Sequence, residues 1–128
     1  MLKKVFLIVG LCGILLLVAC GGTTDGSGKT TASNQIQMND TQFEHTSVTI
    51  KKGESITLVA TTFTPHIIAN GTWENGQARP ANEPGAPSVK NVQINGNSSS
   101  TIGPFSTAGA FKFYCTIHTG MILTVIVQ

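Results

Sequence analysis

Charge is scarce in this 128-residue chain. Asp, Glu, Lys and Arg make up 11% of it, with eight basic against six acidic side chains. So small an imbalance gives no compositional case for nucleic-acid binding or for a polybasic membrane patch. Long apolar runs are also missing. The longest, Val5 to Ala19, is interrupted by Gly10, Cys12 and Gly13 and falls short of the roughly 20 residues a spanning helix needs. No Ser-His-Asp arrangement, paired carboxylates or phosphate-binding glycine loop stands out, so catalysis has little support. Cysteine is limited to three residues, Cys12, Cys20 and Cys115, too few for a disulfide framework.

What is present begins with an N-terminal segment of distinct character. Lys3 and Lys4 precede the apolar run, which ends in Leu17-Val18-Ala19-Cys20-Gly21. A basic start, a short apolar stretch and small residues at its end mark a secretory signal. The Cys-containing end resembles the bacterial lipobox, which implies cleavage after residue 19 and acylation of Cys20. Residues 1–19 are therefore expected to be a lipoprotein signal peptide. Residues 20–34, rich in Gly, Ser and Thr, are expected to be a flexible lipid-anchored tether. The protein would then sit outside the cytoplasm, held to a bacterial cell membrane by lipid. Loss of Lys3 and Lys4 leaves six basic residues against six acidic ones, a neutral mature chain. It also leaves Cys115 as the one free thiol in an oxidising compartment, where cysteines are usually paired or absent.

From Gln35 onward no helical period is found. Short runs of Val, Ile, Thr and Phe alternate with polar turns, the pattern of half-buried strands. Strands are expected at Gln35–Met38, Ser47–Ile50, Ser55–Thr62, His66–Ala69, Val89–Ile94, Thr101–Ile102, Ala110–Cys115 and Met121–Val127. Lys51-Lys52-Gly53-Glu54, Asn70-Gly71 and Asn95-Gly96-Asn97 read as turns. Trp73 to Ser88, with Pro80, Pro84 and Pro87, reads as a long surface loop. The expectation is an all-β, antiparallel sandwich of seven to eight strands over residues 35–128, built on one core.

The chemistry concentrates in Tyr114-Cys115-Thr116-Ile117-His118-Thr119-Gly120-Met121. Strand alternation places Phe111, Phe113 and Cys115 on one face, which the two phenylalanines make the inner one. Cys115 thus closes its strand pointing into the sandwich, with His118 and Met121 on the short loop beyond. Thiolate, imidazole and thioether form a soft donor set that favours copper over calcium or magnesium, and two His, one Cys and a weak axial Met make the blue-copper arrangement. The loop holds a single His, so another must come from elsewhere; His66, after Pro65, is the candidate. Taken singly, Cys115 reads as an inert buried thiol, Met121 as a core residue and each His as an ordinary polar side chain. Their joint pattern carries the argument. His45, in a polar turn, lies outside it.

These residues resemble the cupredoxin family of type 1 blue copper proteins. The resemblance rests on Pro65-His66, on the Cys115-x₂-His118-x₂-Met121 spacing, which is most like amicyanin and tighter than that of plastocyanins, and on Lys52-Gly53-Glu54. It spans about Ile36 to Gln128. It implies a Greek-key β-sandwich with His66, Cys115, His118 and Met121 as ligands to one copper ion. It further implies a monomer that carries single electrons between redox protein partners, with His118 reaching the surface within an apolar patch. One position departs from the pattern. Ile67 stands where many members place an Asn that helps fix the ligand loop, which alters hydrogen bonding around the site and leaves the ligand set intact. The alternative function is a copper carrier or buffer that hands on metal instead of electrons; a metal-free structural sandwich is the third reading.

Overall fold

The computed structural model describes residues 34–128. The expected signal segment, the acylated Cys20 and the tether up to residue 33 lie outside the described residues. Nine strands follow in order: β1 (Gln35–Met38), β2 (Ser47–Ile50), β3 (Ile56–Ala60), β4 (His66–Glu74), β5 (Gln77–Pro80), β6 (Val92–Ile94), β7 (Ser99–Ile102), β8 (Gly109–Cys115) and β9 (Ile122–Val127). They form two layers. A three-stranded sheet runs β1-β3-β7, and a six-stranded sheet runs β2-β9-β8-β4-β5 with β6 also on β4. The all-β sandwich expected from the sequence is what forms.

Period-two alternation decides which side chains meet between the layers. In β3, Ile56, Leu58 and Ala60 are buried while Thr57 and Val59 are half-buried; in β9, Leu123, Val125 and Val127 point inward. Phe105 is fully buried against Phe111 and Phe113, with ring centroids 6.2 and 5.9 Å away. Each such side chain contributes about 2 kcal/mol through the apolar surface it withdraws from water.

Three features differ from the sequence expectation. The sheets are mixed, because β1 pairs β3 and β2 pairs β9 in parallel. Both partners are distant in the chain, so no hairpin forces them antiparallel. Asn70-Gly71 is not a turn, since β4 runs on to Glu74 and reverses at Asn75-Gly76 into β5. The predicted Trp73–Ser88 loop therefore opens with the end of β4 and the whole of β5, a strand beyond those expected. Every residue of β5 is exposed, so it offers no alternation to read.

Asn70 and Gly71 are where β4 leaves the main sheet. Its pairing with β8 ends at Asn70↔Phe113, and pairing with β5 begins at Gly71↔Pro80. Asn70 is buried and ties down the returning chain: its Nδ2 donates to the Pro87 carbonyl at 3.0 Å, and its Oδ1 accepts from the Val89 amide at 2.5 Å. Lys112 lies beyond the last residue pair of β4 with β8. Its N–H donates instead to Glu83 Oε2 at 2.7 Å. Gly71 has φ +132, and a Cβ there would run into the Arg79 carbonyl and the Ala81 amide nitrogen. No other residue fits without moving β5.

Gly71→Ala is accordingly expected to cost at least ~2 kcal/mol, from backbone strain plus overlap. Gly76→Ala, at φ +76 with open space around it, is expected to cost ~1 kcal/mol from the left-handed backbone alone. Urea unfolding of the two variants checks the difference; equal costs would contradict this account of the bend.

Candidate metal centre

The site is assembled by strand register. Cys115 ends β8 opposite Ile68 of β4. Side chains two residues apart on a strand share a face, so His66 falls diagonally across from Cys115 on the inner side, within reach of it. β9 flanks β8 on its other edge, with Tyr114 opposite Ile122. The intervening loop folds back on itself: the Met121 N–H donates to the His118 carbonyl at 3.1 Å, and the Cys115 N–H donates to the Met121 carbonyl at 3.0 Å. His118 is thereby swung over the thiol.

The resulting geometry is compact. Cys115 Sγ lies 3.3 Å from His118 Nδ1 and 3.9 Å from His66 Nδ1. The two imidazoles meet edge-on with centroids 5.0 Å apart, and the three potential ligand atoms all lie within 4.8 Å of one another. Donors held in a trigonal plane about 2.0–2.3 Å from a first-row metal ion sit roughly 3.8 Å apart. The observed separations bracket that value, so the three side chains are spaced to hold a single ion. Met121, 1% exposed, belongs to the same core cluster as Cys115. His45 is exposed and takes no part.

Burial separates the two imidazoles. His66 is wholly inaccessible, whereas His118 is half-buried. Burial, and then the neighbouring His118, hold the His66 pKa below the ordinary 6.5, with a partial offset from the Asn39 backbone and the Asp40 carboxylate. His66 Nε2 makes no full hydrogen bond among the described residues. The ring is thus kept neutral, the form that binds a metal.

Three surrounding residues escaped the sequence reading. The Trp73 indole Nε1 donates to the Cys115 carbonyl at 2.9 Å. Asp40 accepts from the Thr64 hydroxyl at 2.7 Å, and the Thr64 and Thr62 hydroxyls hold its carboxyl below the usual range. Phe63, just ahead of Pro65-His66, is 91% exposed. At Ile67 the side chain is apolar, and the link to the ligand loop is main chain only: the Thr116 N–H donates to the Ile67 carbonyl at 2.8 Å.

The model of the copper-binding proteins of the plastocyanin/azurin family matches residues 30–128. The chain belongs to that family. This cupredoxin resembles solved members over most of its length. The amicyanin of Paracoccus versutus is 23% identical, with a TM-score of 0.55 over 73% of this chain and 79% of that one. A mutant plastocyanin of a fern is 27% identical, with a TM-score of 0.57 over 73% and 99%. The purple cupredoxin of Nitrosopumilus maritimus is 20% identical, with a TM-score of 0.54 over 73% and 98%. No curated protein matches the chain. Family and donor set together fit one type 1 copper ion.

The depressed His66 pKa sets the pH response of the metal-free cupredoxin. The unfolded chain binds a proton at about 6.5 that the folded chain resists, so stability is present above that value and falls as pH is lowered through it. Urea unfolding between about pH 7.5 and 5.5 should show a steeper loss for the native protein than for His66→Gln. Parallel losses would mean that His66 is not held neutral.

Proposed function

We propose that this cupredoxin carries single electrons between redox proteins outside the cytoplasm, as a monomer tethered to a bacterial membrane by lipid on Cys20. His66, Cys115, His118 and Met121 would hold one copper ion, with the Met121 thioether as the weakest of the four donors. The observation that carries the reading is the thiol, fully buried between two imidazole Nδ1 atoms at the end of a packed sandwich. Bound there, copper supplies a one-electron couple.

The protein's part is to hold the donors still and to keep water out. His66 and Cys115 sit on paired strands whose inner faces are close-packed, and such interiors resist rearrangement. A site that changes little between oxidation states loses little energy to reorganisation. Of the two imidazoles at the site, His118 is the one with access to solvent, which makes it the natural point of exit. Ile117 beside it is 49% exposed, and Phe63 and Pro65 are exposed ahead of the other imidazole. Apolar residues of this kind suit brief contact with a redox partner better than a charged rim, because they impose no charge signature on it.

Adding Cu(II) to the purified protein should give an intense thiolate-to-copper band in the visible that ascorbate bleaches. Cys115→Ser should fold and remain colourless; a blue Cys115→Ser protein would remove the thiol from the site. Voltammetry then separates electron carriage from metal delivery. A reversible one-electron wave with copper retained supports the carrier of electrons, whereas ready loss of copper on reduction would favour delivery of metal.

A further inference from the structure

The peptide group that follows the thiol is gripped at both ends by a single strand. Its N–H, that of Thr116, donates to the Ile67 carbonyl at 2.8 Å, and its C=O, that of Cys115, accepts from the Trp73 indole at 2.9 Å. Ile67 and Trp73 both belong to β4, on either side of the bend at Gly71. The first contact is main chain to main chain and any residue at 67 would make it. The second requires an indole, and Trp73 is the one tryptophan in the chain.

The ring is placed by more than this bond. It stands edge-on to Tyr114, with centroids 5.8 Å apart at 88°, and Tyr114 is only 3% exposed although it lies on the face of β8 opposite Cys115. Trp73 thus shields the outer side of the segment whose inner side carries the thiol. Packing alone would need only an aromatic ring at that place. The indole N–H is a separate specification, aimed at the carbonyl of the sulfur-bearing residue.

We propose that Trp73 is a positioning residue for the Cys115 thiolate. Its hydrogen bond fixes the 115–116 peptide, from which both the thiol and the His118 loop project. Its N–H dipole turns a positive end toward Cys115, which stabilises negative charge on Sγ and does so most in the state holding the extra electron. The redox consequence rests on the copper reading above; the fixing of the peptide does not.

Trp73→Phe keeps a ring against Tyr114 and removes only the donor, and Tyr114→Phe is the control that leaves the donor in place. In the whole, metal-free protein, Trp73→Phe should speed hydrogen exchange at the Thr116 amide about three- to tenfold, the factor expected from the loss of one net hydrogen bond. Tyr114→Phe should not. With copper bound, Trp73→Phe should lower the reduction potential and displace the thiolate-to-copper band, again unlike Tyr114→Phe. Equal effects from the two variants, or faster exchange with an unchanged potential, would overturn the role assigned to Trp73. So would rapid exchange of the native indole N–H itself, a measurement that needs no variant to fold. A protein that takes up no copper would sink the proposed function, and Thr116 exchange would still decide whether the peptide is held.

Discussion

The pairing of β4 with β8 is the constraint on which the rest depends. Ile68 opposite Cys115 puts His66 beside the thiol. A slip of one residue would turn His66 outward and carry Ile68 with it. Ile68 is completely buried, so that slip would expose it, bring the half-buried Ile67 into its place and take the imidazole away from the thiol. The energy that positions the ligands is therefore ordinary hydrophobic burial, spread over the strands that carry them. Donors carried on packed strands in this way are held together by the core as well as by any ion they bind.

How much of this could be read from the sequence depends on how local each signal was. The spacing of Cys115, His118 and Met121 is a property of one loop, and Phe111, Phe113 and Cys115 alternate within one strand, so both were legible. His66 was found because a second imidazole was required and Pro65-His66 opens an apolar run. β5 was not legible. Its residues Gln77–Pro80 are all exposed, and a strand that buries nothing leaves no period. Asn70-Gly71 misled for a more specific reason. That dipeptide is a strong turn signal, yet here Asn70 spends its side chain on Pro87 and Val89, and Gly71 serves a close approach of β5 to β4.

The surroundings of the thiol were least legible, because they join residues far apart in the chain through a bend. Ile67 puts an apolar side chain where the resemblance leads one to expect an amide. The main-chain bond from Thr116 to the Ile67 carbonyl forms whatever the side chain at 67, and the side-chain bond to the segment after the thiol comes instead from Trp73, beyond the bend. A glycine-permitted departure of β4 from its sheet is what brings an indole back to the strand it has just left. Nothing in the residues around Trp73 announces that destination.

The unequal burial of the two imidazoles completes the argument from packing to function. His66 is sealed in the core, where a neutral ring is enforced by desolvation, while His118 is carried on a loop closed by the hydrogen bonds of Met121. Had both been buried, an electron would face a thick layer of strand and side chain in every direction. Had both been exposed, water would enter and the donors would lose the fixed separation that the core imposes. One sealed ring and one half-exposed ring reconcile a dry, stiff site with a short way out. The asymmetry follows from where each residue stands, one at the start of a strand paired within the sheet and the other on the turn between two strands.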